Sequence, residues 1–229
     1  MISFRNLVIS AFWTALSISS IYAQDLSRYR GFQLGMDLSA AAEQADMKPS
    51  QAKLIHQRPE KIQELEWRPY SSLDATAQAD SVKEVLFGFF NSQLYRMVVH
   101  YDQHRTEGLT EEDLIESISA KYGTPTVPVA KVVSSSSSQG IGDSERVIAR
   151  WEDPENSINL FHFSYYSNFG LLVYSKRLDV LAQAAVVEAI RLDRQEAPQR
   201  ELERQTREDD EKRAAGQKVR PANKAVFRP

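Results

Sequence analysis

The chain has 229 residues and contains no cysteine. The lack of cysteine excludes a disulfide framework, a thiolate metal site, a catalytic cysteine and a lipid-bearing cysteine at the N-terminus. Residues 24–190 carry 16 Lys and Arg against 23 Asp and Glu, whereas residues 191–229 carry 11 against 8. Because the larger part is acidic, a nucleic acid is not an expected partner.

The first 23 residues have the pattern of a secretory signal peptide. Arg5 is their only charge, Leu7 to Ile18 form an apolar run, and Ala23 precedes the expected cleavage position. A retained membrane anchor is the alternative, although the run is shorter than the roughly 20 residues that span a bilayer. We therefore expect a periplasmic or secreted protein with no transmembrane span after signal cleavage.

Residues 24–104 predict a first αβββ module. Gly31 to Leu34 form a short apolar patch, which is either a small strand or a segment that packs on the next element. A helix is expected after Asp37, whose carboxylate can accept hydrogen bonds from the free amide groups of the first turn. Pro49 is expected to end this helix. The apolar side chains with helical spacing are Leu38, Ala41, Ala42 and Ala45.

Three strands complete the first module, because their side chains are apolar, aromatic or β-branched. Asn91 to Gln93 supply the turn between the second and the third strand. Residues 50–61 are polar and weakly patterned, and residues 71–80 are expected to form a loop. The predicted strands are Ile62–Trp67, Val82–Phe90 and Leu94–Tyr101.

Residues 105–177 predict a second module with the same order of elements. Thr110 is the expected N-cap of a second helix, with Asp113 approximating a capping box, and Gly123 is expected to end this helix. Residues 126–143, with five consecutive serines, predict a mobile loop. The buried side chains of the helix are expected to be Leu114, Ile115, Ile118 and Tyr122. The following strands are Arg146–Trp151, Ile158–Tyr165 and Phe169–Ser175.

The two predicted hairpins are similar in sequence. Aligned without a gap, Leu86–Asp102 falls on Leu160–Lys176, and Phe87 falls on Phe161. We therefore predict an α+β fold of two αβββ modules with antiparallel sheet meanders and with helices packed on one side. We expect functional residues at positions where the two copies carry different residues although their secondary-structure elements correspond. The first such pairs are Gly88 and His162, Phe90 and Ser164, and Arg96 and Gly170.

Residues 178–198 predict a C-terminal helix, and residues 199–229 predict a charged, disordered tail. Pro198 is expected to break the helix, because proline lacks an N–H and clashes with the preceding turn. From Arg200 onward there are too few large apolar residues to offset the cost of ordering the chain.

No motif for catalysis or nucleotide binding is present in the sequence. There is no G-x-S-x-G turn for a nucleophilic serine, no P-loop and no G-x-G-x-x-G loop. The segment Gly140-Ile141-Gly142 has no predicted helix after it. We therefore expect no catalytic residue, no cofactor and no enzymatic activity.

Two patterns could suggest a metal site. His100 and His104 have a spacing that suits a metal on a helix, but they lie at the end of a predicted strand. Glu111, Glu112 and Asp113 could suggest calcium, but the positive end of a helix explains all three carboxylates. We therefore expect no metal site.

Aromatic side chains are concentrated in the two hairpins. Successive side chains of a strand point to opposite faces, so one face covers the helices and the other exposes aromatic rings. Exposed rings often mark a recognition surface, and the alternative is that aromatic pairs only stabilise adjacent strands. The candidate protein-binding residues are Tyr95, Tyr101, His162, Tyr165, Tyr166 and Tyr174.

The order of features in each half resembles a known module. A helix opened by Gly-x-Asp/Thr and closed near proline, a Trp-bearing strand and an aromatic hairpin are similar to the BamE/SmpA-like module of bacterial envelope proteins. A tandem pair resembles the β-lactamase inhibitor protein architecture. The resemblance covers about residues 30–177 and implies a non-enzymatic scaffold or protein binder. It is carried by Gly35, Asp37, Pro49, Trp67 and Phe87–Val99, and by Gly108, Thr110, Gly123, Pro125, Trp151 and Phe161–Val173.

The resulting hypothesis is an exported, non-enzymatic protein-binding or scaffold protein of the bacterial cell envelope. Its expected partner is another envelope or secreted protein. The alternative is a periplasmic small-ligand binder or enzyme whose site lies between the modules and is lined by His100, His162 and the flanking tyrosines. A third possibility is a purely structural role in which the tail is a tether.

Overall fold

The computed structural model describes residues 25–69, 80–126, 145–163 and 169–228. The predicted signal peptide, residues 71–79 of the loop predicted at residues 71–80, and most of the serine-rich loop lie outside these residues. The fold class is α+β, as predicted from the sequence.

The described strands agree closely with the predicted ones, and two short strands, at residues 28–29 and 53–56, were not predicted. Within the described residues the strands are β1 (Arg28–Tyr29), β2 (Phe32–Gln33), β3 (Lys53–His56), β4 (Ile62–Trp67), β5 (Val82–Phe90), β6 (Gln93–Tyr101), β7 (Glu145–Glu152), β8 (Asn156–Phe163) and β9 (Phe169–Ser175). The helices are α1 (Leu38–Gln44), α2 (Gln103–Thr106), α3 (Glu111–Tyr122) and α4 (Lys176–Val226). None of the helices in these described ranges combines the length and the hydrophobicity needed to cross a bilayer.

Seven strands form one antiparallel sheet in the order β3-β4-β5-β6-β9-β8-β7. The two meanders β4-β5-β6 and β7-β8-β9 therefore meet at their last strands. Val98 of β6 pairs with Leu172 of β9, which lies 74 positions later. Since these residues are counterparts in the repeat, a pseudo-two-fold axis perpendicular to the sheet passes between them.

The register of the middle strands corrects the gapless alignment. Trp67 of β4 pairs with Val85, and Trp151 of β7 pairs with Ile158, so the counterpart of Val85 is Ile158, 73 positions later. The counterpart of Gly88 is thus Phe161 rather than His162. Moving a strand by one residue turns every side chain to the other face of the sheet.

One face of the sheet, which we call the inner face, carries the main hydrophobic core. Val85, Phe87 and Leu160 point to this face and are fully buried. Helices α1 and α3 cover it through apolar side chains that have helical spacing. The covering side chains include Leu38, Ala41, Ala42, Leu114, Ile118 and Tyr122.

Both covering helices begin as their sequences predict. The carboxylate of Asp37 accepts a hydrogen bond from the amide of Ser39 at 2.8 Å. The hydroxyl of Thr110 and the carboxylate of Asp113 form a reciprocal capping box at the start of α3. At the other end of α3, the Trp151 indole N–H donates to the Gly123 carbonyl at 2.6 Å, which fixes β7 to the helix.

The opposite face, the outer face, is covered by the first part of α4. Buried α4 side chains pack there against Ile62 and Tyr95 of the sheet. The cluster places α4 over the first meander, next to β4 and β6. The α4 side chains in this cluster are Leu178, Ala182, Ala185 and Val186.

Helix α4 does not end at the position predicted from the sequence. It continues through Pro198 and Pro221 to Val226, so the predicted break and the disordered tail were wrong for this segment. Arg200 binds both Asp193 and Glu196 at 2.8 Å, and these ion pairs cross Pro198. Such pairs support a helix whose interior lacks one backbone hydrogen bond.

Beyond Glu196, α4 projects as an arm, which we define as residues 197–226. Almost all of its side chains are exposed. Its length is about 45 Å, from the 1.5 Å rise per residue of an α-helix. Arg204 pairs with Glu201 and Glu208 along the same helix, as is typical of helices without a packed face.

Candidate protein-binding surface

The predicted aromatic surface is divided between different parts of the molecule. Tyr95 lies on the outer face but is only 3% exposed, because α4 covers it. Burial raises the pKa of its phenol, and nearby Arg96 counteracts this rise. Tyr95 is therefore part of the contact between α4 and the sheet instead of an open binding surface.

Tyr101 belongs to a group of three tyrosines, with Tyr29 and Tyr122, at the β1–β2 hairpin. It is hydrogen-bonded to Tyr29, and burial raises the pKa of Tyr101 well above its ordinary value. The Tyr122 hydroxyl donates to the Arg28 carbonyl at 2.7 Å. Arg30 forms an ion pair with Asp80 and lies over the Tyr29 ring. This group ties the β1–β2 hairpin to β6 and α3.

The remaining candidates do not converge either. His162 lies on the inner face, where its ring is 4.9 Å from that of Phe169. Tyr174 is partly buried on the outer face, beside the cluster of Val98, Phe161 and Leu172. Tyr165 and Tyr166 lie outside the described residues.

The two histidines of the alternative hypothesis lie on opposite faces of the sheet. His100 is on the outer face, where its Nδ1 is 2.9 Å from the Glu84 carboxylate. His162 is on the inner face. One cleft lined by both rings therefore does not form. No group of three His, Asp or Glu side chains in the described ranges is placed to hold a metal.

An open sheet edge is the feature that the sequence did not predict. Strand β3 pairs with β4, and its other side has no strand partner among the described residues. Leu54 and Ile55 are 47% and 39% exposed, which is unusual for large apolar side chains on a strand. Unpaired backbone groups beside exposed apolar side chains form a template for another strand.

A groove runs between β3 and α4 on the outer face; we call it the β3–α4 groove. Its wider part has a volume of about 320 Å³. A narrower part of about 80 Å³ continues beneath α4. The wider part is lined by Leu54, Ile55, His56, Gln57, Arg58, Ala189, Leu192, Asp193 and Arg200.

The floor of the narrow part depends on a glycine. A Cβ atom on Gly88 would lie 2.8 Å from Cγ of Arg96 and 3.0 Å from Cε1 of Tyr95. The absence of a side chain lets both residues lie close to β5 and leaves space below Ala182 and Val186. Glycine in a strand often marks such a close approach.

An ion pair joins the two walls of the groove. The Arg58 guanidinium contacts Glu196 of α4 through two hydrogen bonds, of 3.1 and 2.7 Å. Arg58 and Arg200 together lower the pKa of Glu196 to about 2. The carboxylate is therefore charged at neutral pH. This contact is exposed, so it orients α4 more than it stabilises the fold.

A weak signal in the sequence could have indicated β3. Leu54 and Ile55 stand between Lys53 and His56 in a segment that is otherwise polar. A run of two apolar residues is too short to define a periodicity. The strand forms because it can pair with β4, which is a tertiary effect.

No family model, curated protein or solved structure matches this chain.

Proposed function

We propose that this chain is an exported, non-enzymatic protein-binding protein of the bacterial envelope, and that its binding site is β3 with the β3–α4 groove. The observation that carries the proposal is the exposure of Leu54 and Ile55 on an open sheet edge beside the groove. The signal pattern of the first 23 residues supports export. The resemblance to tandem envelope modules supports a binding role.

The expected mode of binding is the addition of a strand. An extended segment of the partner would pair its backbone with the free edge of β3. Side chains that alternate along this segment would enter the groove beside Leu54 and Ile55 on one face and point away from it on the other. Backbone pairing then supplies affinity, and the groove supplies specificity.

The charge around the edge indicates the chemistry of the partner segment. Residues 48–61 contain Lys48, Lys53, Arg58 and Lys61 and a single acid, Glu60, and of these cations Arg58 is paired with Glu196. This part is basic, although residues 24–190 as a whole are acidic. An extended segment with apolar and acidic side chains fits it best, because complementary charge favours the encounter.

Affinity capture from a periplasmic fraction tests the proposal, with residues 24–229 as the bait. The variant Leu54→Lys/Ile55→Lys should lose the captured protein, because it puts charge at the edge and in the groove. Val187→Lys is the matched control, since Val187 is a 66% exposed apolar residue on α4 outside the groove. The control should capture the protein as well as the unchanged chain does.

Hydrogen exchange on the purified complex locates the contact. Amides of Lys53–His56 should gain protection when the partner binds, because their free side becomes paired. Capture that survives Leu54→Lys/Ile55→Lys, or protection confined to other strands, would contradict the proposal. Deletion after Glu211 keeps both walls of the groove and should leave capture unchanged.

A further inference from the structure

The arm of α4 has two parts of opposite charge. Residues 199–211 contain six acids and three arginines, whereas residues 212–229 contain six Lys and Arg and no acid. In the first part arginine pairs with acids along the helix, as in the pairing of Arg204 with Glu201 at 2.6 Å. The second part, which we call the basic tip, contains no acid, and only its first two cations, Lys212 and Arg213, lie near acids of the first part, at 3.8 and 3.9 Å.

Three cations at the far end of the basic tip are available for a partner. Lys218, Arg220 and Lys224 have no ion pair within the described residues, and all three are exposed. A cation in the last turn of a helix stabilises the helix dipole, which accounts for Lys224. Lys218 and Arg220 lie further from the end, so the dipole does not explain the whole set.

The basic tip is also amphipathic. Ala215, Val219, Ala222 and Val226 recur at i, i+4, i+7 and i+11 and therefore share one side of α4. Val219 and Val226 are 54% and 73% exposed, and Phe227 directly after the helix is 74% exposed. Because these apolar side chains are exposed to solvent, they are not part of a hydrophobic core of the described residues.

Three of the cations occupy the opposite side of the same helix, and Lys212 and Lys218 flank the apolar side at about 60° from Ala215. Arg213, Arg220 and Lys224 recur at i, i+7 and i+11, and Arg213 is about 200° from Ala215 around the helix axis. A helix with one cationic side and one apolar side suits the boundary between lipid headgroups and acyl chains. Nucleic acid would use the cations but leave the apolar side exposed.

We propose that the basic tip binds the surface of an anionic lipid bilayer, with its cations at the headgroups and its apolar side in the interface. Residues 197–211 of the arm then act as a spacer of about 22 Å between the bilayer-bound tip and the folded sheet. This proposal rests on the charge and the exposure of the tip and does not depend on the proposed role of β3.

Vesicle sedimentation with residues 24–229 tests it. Vesicles that mix phosphatidylglycerol with phosphatidylcholine should bind the chain, and vesicles of phosphatidylcholine alone should bind it far less. Lys218→Gln/Arg220→Gln/Lys224→Gln should lower the partition coefficient about 100-fold, from the usual contribution of each cation near an anionic surface. Binding should also weaken as salt rises.

A matched control removes the same charge from positions of α4 before the basic tip. Arg194→Gln/Arg204→Gln/Arg207→Gln should bind vesicles at least as well as the unchanged chain, because it leaves the basic tip and the Arg200 ion pairs across Pro198 intact. A third variant, Val219→Ser/Val226→Ser/Phe227→Ser, keeps every cation and should also weaken binding, because its apolar side is lost. All nine positions are exposed on α4 or directly after it, so the folded sheet is unaffected.

Three results would overturn the proposal. The first is equal binding to neutral and anionic vesicles. The second is equal loss in the tip variant and in the control, which would indicate a non-specific effect of net charge. The third is the absence of vesicle binding, whether or not the chain retains duplex DNA or an acidic protein in parallel assays.

Discussion

The two halves of the sheet share a backbone plan but place their glycine on different strands. In the first half, Gly88 on the middle strand pairs with Arg96 on the last strand. In the second half, Phe161 on the middle strand pairs with Gly170 on the last strand. Gly88 and Phe161 are counterparts, and so are Arg96 and Gly170. Each half therefore combines one glycine with one large side chain, in opposite order.

This exchange decides how each half of the outer face is covered. A Cβ on Gly170 would lie 2.2 Å from the Phe161 ring, so this ring lies directly over the glycine. It is fully buried with Val98 and Leu172. In the first half Arg96 lies over Gly88 instead, and α4 covers this region. The difference places the β3–α4 groove in the first half.

Truncating the Phe161 ring should cause the largest loss of stability. Phe161→Ala removes a fully buried ring and leaves a cavity above Gly170, so unfolding free energy should fall by about 3–5 kcal/mol. Chemical denaturation measures this loss. Phe227→Ala is the matched control, because Phe227 is exposed. A loss below about 1 kcal/mol for Phe161→Ala would mean that the second half does not depend on this ring.

Adding a side chain at Gly170 tests the same contact from the other strand. Gly170→Val would force the valine against the Phe161 ring, and overpacking of this kind costs about 1–3 kcal/mol. In a Phe161→Ala background the valine has space, so the two losses should be less than additive. Denaturation of the single and double variants measures this coupling. Additive losses would show that the ring does not lie over the glycine.

Adding a side chain at Gly88 should cost less stability, of about 1 kcal/mol. Its nearest obstacle is the middle of the flexible Arg96 side chain, which can move. The displaced groups lie beneath α4, so Gly88→Val should loosen the docked part of the helix. Hydrogen exchange should rise across Leu178–Ala189 while β8 remains protected. Unchanged hydrogen exchange in α4 would show that docking of this helix does not depend on Gly88.

The sequence predicts most elements of each half because their local signals agree. The N-caps Asp37 and Thr110 and the aromatic runs of β5 and β9 indicate their own secondary structure without tertiary information. The register of the strand pairs, in contrast, could not be predicted from local signals, because bulges occur between Gly88 and Phe89 and between Val147 and Ala149. An irregularity of one residue is invisible in a gapless alignment but exchanges the two faces.

The candidate site was harder to predict than the fold. Tyr95 was expected to be exposed, but whether a strand face is open depends on where α4 packs. The edge of β3 has only two apolar residues, so its pairing with β4 decides its structure. The continuation of α4 depends on ion pairs such as Glu196 with Arg200, which helix propensity alone does not reveal.

Position 96 provides the smallest and most specific test of the comparison, because only the first half has a cation there. Arg96 faces Asp179, which lies in the first turn of α4 and is 7% exposed. Burial raises the pKa of the Asp179 carboxyl, although Arg96 and a 2.6 Å hydrogen bond from Gln183 oppose the rise. The attraction to Arg96 therefore does not fully compensate the cost of burying the charge.

The raised pKa sets the sign of a pH effect. The folded chain holds the Asp179 proton to higher pH than the unfolded chain does, so this group stabilises the fold below its unfolded pKa of 3.8. That contribution is lost as pH rises through the folded-state pKa. Asp179→Asn keeps an acceptor for Gln183 and cannot ionise, so this loss should disappear when denaturation is followed from pH 3 to pH 7. Glu43→Gln is the control, because Glu43 is an exposed residue of α1, and this variant should keep the loss of stability with rising pH. If the stability of Asp179→Asn still falls as pH rises, the loss does not come from Asp179. Arg96 then fully compensates the buried carboxylate, and the cation at position 96 stabilises α4 docking at neutral pH.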